Sequence, residues 1–258
     1  MARYYYEDAR WPWRPDAFLR RFLGKRKKQL PRFARNDKNL PKALDLGMGY
    51  GRNALWLAER GYAVEGWETD RRYRAEARRE ARLRQGSGGR ARRRAGKLIV
   101  RRSDFTRARL RGPFDVIVIS NALHQVRRSA ALRTLQRARA ALAPGGRLFL
   151  LVKLTRDRYF QRTKRDASWG PVPGERNTLR RRRVPEAPKY WRGRKRGRRW
   201  TLSALTPREI RQALRGPRGQ ARGRLRILWY REAVFRSDWQ EPEPVTHDSA
   251  EVVAEKER

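Results

Sequence analysis

This 258-residue sequence predicts an α/β fold, a mostly parallel seven-stranded sheet with helices on both faces, on the strength of three observations. Between Lys42 and Val152 short apolar runs alternate with stretches of helical spacing, the pattern of strand-helix-strand units. A glycine-rich turn, Gly47-Met48-Gly49-Tyr50-Gly51, joins the first such strand to the first helix. A capped helix starting near Pro207 and two apolar runs beyond it complete the sheet.

Lys42 to Leu46 reads as the first strand. Arg52 to Arg60 then turns Ala54, Leu55, Leu57 and Ala58 toward one side and stops at Gly61, a natural residue after a helix end. Ala63 to Trp67 is the second strand. A strongly basic helix from Arg71 to Arg84 breaks at Gly86-Ser87-Gly88-Gly89 and leads into Lys97 to Val100, the third strand. Phe114 to Ile119 is the fourth. Leu132, Leu135, Ala138 and Leu142 recur at helical spacing, and Pro144-Gly145-Gly146 turns the chain into the fifth strand, Arg147 to Val152. From Arg156 to Arg199 the pattern gives way to Pro, Gly and Arg, with Trp169, Tyr190 and Trp191 scattered through it, so a mobile insertion is expected there. Order returns at Thr206-Pro207-Arg208-Glu209, a capping box with proline in the first turn. Ile210, Ala213 and Leu214 face inward from that helix and Gly216 closes it. Leu225 to Tyr230 and Ala250 to Ala254 are the last two strands.

Composition narrows the chemistry. The chain has no Cys, which excludes disulfides, thiolate metal sites and a cysteine nucleophile, and only two His, His124 and His247, so no metal site is expected. No apolar run approaches the roughly 18 residues that span a bilayer, and the N-terminus lacks a secretory signal, so a cytoplasmic protein with no membrane partner is expected. The formal net charge is +41, carried by 67 Lys and Arg against 26 Asp and Glu. The cations cluster. Arg71 to Lys97 holds twelve basic and two acidic residues, Arg156 to Arg199 seventeen and four, while the tail from Gln240 is mostly acidic. Such blocks suit a polyanion, since they release counterions from phosphates, although an arginine-biased genome gives the same count.

The turn at Asp45-Leu46-Gly47-Met48-Gly49-Tyr50-Gly51 carries the most chemistry. Its three glycines remove side chains where backbone must approach a ligand, at the point where open α/β sheets bind one. The dinucleotide pattern G-x-G-x-x-G fails, because Arg52 stands where its third glycine belongs. From Leu44 to Val152 the sequence resembles a class I S-adenosylmethionine-dependent methyltransferase. Within that superfamily DLGMGYGRNALWLAERGYAV, followed by Trp67-Glu68, is most similar to the tellurite-resistance type of small-molecule methyltransferase.

The resemblance implies a Rossmann-like methyltransferase fold divided into an aromatic and basic cap (1–41), an S-adenosylmethionine-binding core (42–154), a basic insertion (155–200) and a C-terminal completion of the sheet (201–258). It implies that Gly47, Gly49 and Gly51 line the methionine end of the cofactor, with Asp45 near its ammonium and Arg52 near its carboxylate, an assignment that charge complementarity supports. Glu68 is expected to accept the ribose hydroxyls, with Asp70 as rival. Asp104 and Phe105 are expected at the adenine, against the alternative that Asp104 merely closes an Asx turn. Asn121 is expected beside the cofactor at the end of strand four. Met48, where the family often has Cys or Ser, is expected in tolerant space beside the cofactor.

Methyl transfer from a sulfonium needs alignment, exclusion of water and, for some acceptors, deprotonation. The segment after strand four, Ser120 to Gln125, lacks the Asn/Asp-Pro-Pro-Tyr/Phe motif of amine-directed DNA methyltransferases and the Cys of pyrimidine carbon methyltransferases. His124 is the candidate general base, weighed against a packing role, while His247 is expected on the surface. Tyr4, Tyr5, Tyr6, Trp11, Trp13 and Phe18, alternating with arginines, suit a lid, a helix packed on the sheet edge or a base-stacking surface. The leading expectation is a methyltransferase for a small, anionic acceptor, of which the subfamily suggests tellurite or selenite. The alternatives are an RNA methyltransferase using the basic blocks, or an inactive nucleic-acid-binding relative. Oligomeric state is not legible.

Overall fold

The computed structural model describes residues 15–23, 40–86, 96–182, 200–216, 223–237 and 245–257. Its sheet has seven strands: β1 (Lys42–Leu46), β2 (Ala63–Trp67), β3 (Leu98–Arg101), β4 (Phe114–Ser120), β5 (Leu142–Lys153), β9 (Leu225–Ser237) and β10 (Val245–Lys256). They lie in the order β3-β2-β1-β4-β5-β10-β9. The first five are mutually parallel, whereas β10 runs antiparallel to both β5 and β9. The order reverses between β1 and β4, so their carboxyl ends open a crevice.

Alternation along each strand sends side chains to two separate cores. Leu44, Leu46, Ile117, Ile119, Leu148 and Leu150 face α4 (Arg128–Ala141) and α6 (Pro207–Arg215). Ala43, Val116, Val118, Phe149 and Leu151 face α1 (Ala17–Leu23) and α2 (Arg52–Ala58). Each fully buried large side chain contributes about 1.5–3 kcal/mol, and a strand buried on both faces needs the continuous apolar run seen at β4 and β5. The helix α3 (Arg71–Gly86) is anchored by few residues: among those whose side chains are described, Arg74 and Ala77 are the buried ones, in keeping with its basic sequence.

Two expectations about local structure change. Pro144-Gly145-Gly146 does not precede β5 but lies within it as a bulge, with Leu142 paired to Phe114 before the register jumps to Arg147 opposite Val116. The stretch expected to be an irregular insertion is regular in its first half. It forms α5 (Arg158–Arg165) and the strands β6 (Trp169–Val172) and β7 (Glu175–Arg181), which with β8 (Thr201–Ser203) make a second, antiparallel sheet. The pattern was hidden because the strands are short and β7 carries three arginines. Phe160, Leu179, Leu202 and Ala204 give this sheet its own small core. It seats on the main body through Ser129, whose N–H and hydroxyl donate to Glu175, and through Ser203, whose hydroxyl donates to the Leu123 carbonyl.

The capping box is present: Thr206 Oγ1 accepts from Glu209 N and Glu209 accepts from Thr206 N. The aromatic cap residues Tyr4, Tyr5, Tyr6, Trp11 and Trp13, the link residues Ser87, Gly88 and Gly89, and Arg183 with Arg192–Arg199 lie outside the described residues. Among the described residues no helix is long and apolar enough to cross a membrane.

Candidate active site

At the carboxyl end of β1 the chain turns on three left-handed glycines, Gly47 (φ 69°), Gly49 (φ 56°) and Gly51 (φ 83°). The first is required twice over. A Cβ on Gly47 would stand 2.6 Å from the Ala122 Cβ and 3.3 Å from the Phe105 ring, besides straining the backbone. Gly49 is different, since a Cβ there would meet nothing within 4 Å. Open space lies over that glycine. Met48 does not share it, contrary to expectation: its side chain is buried and packs down on Gly66 of β2.

Asp45, one residue from the end of β1, is buried and points to the α2 face. Its Oδ2 has no hydrogen-bond partner among the described residues. Burial, and next the nearby Asp16 carboxylate, push its pKa up to about 7 despite the opposing charge of Arg52. An unpartnered buried carboxylate oxygen is costly and calls for a donor. Arg52, expected near the cofactor carboxylate, donates from Nη2 to Asp16 Oδ1 at 2.5 Å and lies 3.4 Å from Ser120 Oγ at the end of β4. Asp16, just before α1, is held further by Asn53, whose Nδ2 donates to Asp16 Oδ2 (2.8 Å) and whose Oδ1 accepts from Asp16 N (2.9 Å). Phe18 in α1 is core, packed on Phe149 and Trp229.

Glu68 follows β2 and braces the loop from the other side. Its Oε2 accepts from Gly49 N (3.1 Å), and its Oε1 accepts from the N–H groups of Thr69 (2.7 Å) and Asp70 (2.8 Å). Each carboxylate oxygen offers two lone pairs, so Oε2 keeps one. The rival Asp70 instead caps the start of α3 by accepting from Arg72 N. Asp104 is exposed, and its Oδ1 accepts both the N–H (2.9 Å) and the hydroxyl (2.6 Å) of Thr106, an Asx turn. Phe105 is buried against Gly47. Asn121 is exposed and left-handed (φ 51°), and its N–H donates to the Leu151 carbonyl. Strained non-glycine backbone of this kind gathers at functional sites.

Beyond β4 the chain makes one 3-10 turn, Leu123–Gln125, which carries His124. Its Nδ1 is buried with no partner among the described residues. Burial lowers its pKa well below the ordinary value, and Lys153 and His247 push the same way, so the ring is neutral. Lys153 ends β5 and is itself buried. Its Nζ lies 2.6 Å from His247 Nδ1 and 3.8 Å from Asp157 Oδ2. His247, expected on the surface, is 7% exposed, because Ser249 pairs with Lys153 and alternation turns His247 to the same face of β10. A groove of about 490 Å3 lined by Arg109, Leu110, Pro113 and Arg137 lies just before β4, at the end of the strands away from the crevice.

A family model described as a methyltransferase domain matches residues 16–215, from Asp16 through the end of α6. The chain belongs to the methyltransferase domain family. No curated protein sequence matches this methyltransferase. Among solved structures it is similar to a SAM-dependent methyltransferase from Methanosarcina mazei, 21% identical over 84% of this chain and 92% of that one, with a TM-score of 0.60. TehB from Haemophilus influenzae is 17% identical over 84% of this chain and 58% of its own, with a TM-score of 0.56. The magnesium protoporphyrin IX methyltransferase from Synechocystis PCC 6803, with bound SAH, is 17% identical over 85% and 76%, with a TM-score of 0.51. At these identities the likeness is one of fold, and it supports the Rossmann-like methyltransferase fold expected from the sequence.

Sequence reasoning brought Asp45, Gly47, Gly49, Gly51, Arg52, Glu68, Phe105 and Asn121 to one edge of the methyltransferase sheet. It missed Asp16, Lys153, Asp157 and Tyr159. None of these sits in a motif, although the single charge ending the apolar run of β5 was a readable signal for Lys153.

Proposed function

We propose that this methyltransferase uses S-adenosylmethionine as methyl donor and a small molecule as acceptor, the donor over the β1 turn and the acceptor at the ends of β4 and β5. Two observations carry the donor reading: the buried Asp45 Oδ2 with no hydrogen-bond partner among the described residues, and the open space over Gly49 in the turn that follows it. The residues present fit the group: Asp45 would receive the ammonium, Arg52 and Ser120 the carboxylate, the free lone pair of Glu68 Oε2 a ribose hydroxyl, and Phe105 would pack near the base. Asp104 is a weaker candidate at the base, because its turn already uses it. The donor supplies a methyl group activated by a positive sulfur.

What the chain contributes is alignment and charge. An ammonium beside Asp45 favours the ionised carboxyl, so ligand binding and Asp45 ionisation are linked. Arg52 is held between Asp16 and Ser120 at the crevice between β1 and β4, and it must share Asp16 with any incoming carboxylate. Glu68 ties the Gly49 N–H to β2 and fixes the loop in its left-handed conformation.

Calorimetry with S-adenosylmethionine and S-adenosylhomocysteine tests the donor, and the expected result is binding of both; absence of heat sinks the reading. Labelled donor offered to a size-fractionated cell extract tests the acceptor. Label is expected among small molecules, with turnover nearly independent of salt. If the label lands in RNA and affinity falls about 10³-fold between 50 and 200 mM salt, the basic blocks are a phosphate-holding surface and RNA is the acceptor.

A further inference from the structure

We propose that Lys153, His247 and Asp157, with His124, form a proton-accepting site for the methyl acceptor, and that the acceptor carries a hydrogen on its attacking oxygen or nitrogen rather than arriving as an oxyanion. This deepens the donor and small-acceptor reading above and rests on it.

Four elements converge to build the cluster. Lys153 is the last residue of β5, His124 stands on the turn after β4, Asp157 caps α5 and His247 comes from β10. The first two lie at the strand ends that face the crevice, where the acceptor must sit to meet a donor over the β1 turn. Lys153 is 5% exposed, His247 7% and Asp157 fully buried. Asp157 Oδ1 accepts from Phe160 N (2.8 Å), which fixes the carboxylate, and its Oδ2 lies 3.2 Å from His247 Nδ1.

The charge arithmetic identifies the chemistry. Lys153 Nζ and His247 Nδ1, 2.6 Å apart, have one hydrogen bond between them, and Asp157 beside both supplies one negative charge. One proton shared by amine and imidazole therefore makes the trio neutral. A packing role would not require it, since well-packed apolar side chains fill such space at lower cost than buried charges. Among the described residues, the groups facing Lys153 besides the trio are the Tyr159 ring, 5.7 Å from its Nζ and 5.7 Å from the His247 ring, and His124, which feels the Lys153 charge and whose buried Nδ1 has no partner. Arg156 faces Glu232 and Asp248, and Arg231 faces Glu251, so those charges compensate one another. Burial lowers the Lys153 pKa to about 8 against the pull of Asp157, so a fraction of the amine is neutral at physiological pH.

In the step itself, a lone pair on the acceptor atom forms the bond to the methyl carbon, and the carbon–sulfur bond breaks with its electrons going to sulfur. The hydrogen on the acceptor atom passes as a proton into the cluster and rests on Lys153, to be lost to water between turnovers. An acceptor whose attacking atom carries no hydrogen would gain nothing from this site.

Because His124 and His247 are the only two histidines, the test is spectroscopic. In the full chain the two imidazole Cε1–H signals are followed by NMR from pH 5 to 10 and assigned with His124→Gln and His247→Gln. The His247 signal is expected to report a step near pH 8 that disappears in Lys153→Met, with His124 unprotonated throughout. A His247 signal without that step overturns the shared proton. Turnover of the labelled small-molecule fraction is expected to rise through pH 8 in the wild type. It should fall at least 100-fold in Lys153→Met at pH 7, with S-adenosylhomocysteine affinity within threefold. Turnover within threefold of wild type overturns the proposal. Should Lys153→Met not fold, the wild-type histidine titration and pH profile still decide it. If S-adenosylhomocysteine does not bind, or the label appears only in macromolecules, the underlying reading falls instead.

Discussion

The two sides of the crevice are built differently. On the donor side Asp45, Gly47, Gly49, Gly51 and Arg52 come from eight consecutive residues, and Glu68 reaches them from the neighbouring strand. On the acceptor side Lys153 and His247 stand 94 residues apart in sequence and meet only because β10 folds back antiparallel on β5. Their electrostatics differ in sign as well. Burial raises the carboxyl of Asp45 toward neutrality and lowers the amine of Lys153 toward the same range. One side is left wanting a cation, and the other is left able to take a proton. The comparison teaches that a donor site shared by a fold can be held by a local turn, while the part that meets the acceptor is assembled from whatever the last strands bring.

The sharpest way to break that comparison is at Gly47. Valine there must adopt φ 69° with its Cβ 2.6 Å from Ala122 and 3.3 Å from the Phe105 ring. Strain of that kind costs about 1–3 kcal/mol before any clash is counted. Gly47→Val is expected to lower stability in chemical denaturation and to reduce S-adenosylhomocysteine affinity by more than 100-fold, while Gly49→Ala, with open space above it, costs less stability. Equal losses of stability at the two positions would show that φ alone governs the loop.

Asp45→Asn is the next largest effect and separates the two sides directly. S-adenosylmethionine affinity is expected to fall about tenfold, which corresponds to one charge-assisted hydrogen bond of about 1.5 kcal/mol. The pH dependence has a definite sign. Asp45 has a folded pKa of about 7, above the ordinary 3.8, so between those values the folded state binds more protons than the unfolded one and its contribution to stability falls as pH rises. A cationic ligand prefers the ionised form, so affinity should tighten from pH 5.5 to 7.5 in the wild type and stay flat in Asp45→Asn. The Lys153 contribution to stability runs in the opposite direction. Its folded pKa is lowered to about 8, so the unfolded state binds more protons between about 8 and 10.5 and the Lys153 contribution grows with pH across that window.

The elements of the donor half were legible because each rests on a local rule. Apolar runs mark strands, Gly61 and Gly216 end helices, and Thr206 with Glu209 starts one. The second sheet was not legible, because β7 reads Glu175-Arg-Asn-Thr-Leu-Arg-Arg181 and buries only Thr178 and Leu179. Its position depends on Glu175 reaching Ser129, a contact across 46 residues. Asp16 and His247 were opaque for the same reason. Nothing in the run around His247 says that it faces Lys153 until the register Ser249 to Lys153 is known. Non-local pairing carries no local signature.

Asp104 should give the smallest effect, and it tests the line between a turn and a contact. The resemblance assigns this carboxylate to an exocyclic amine, whereas in the structure it is exposed and its Oδ1 accepts twice from Thr106, with Arg107 Nε 4.0 Å from its Oδ2. Asn at this position retains an Oδ1 acceptor for the turn, tolerates the same conformation and removes only the second oxygen. The pair with Arg107 is exposed, so its loss is worth little, at most about 0.5 kcal/mol. Asp104→Asn is therefore expected to leave the melting temperature nearly unchanged and to weaken S-adenosylhomocysteine binding no more than threefold. Adenosine alone, measured by competition, should show the same small change. A tenfold loss for both ligands would mean that Oδ2 takes the base's amine when the site is filled, and that the turn serves to aim it.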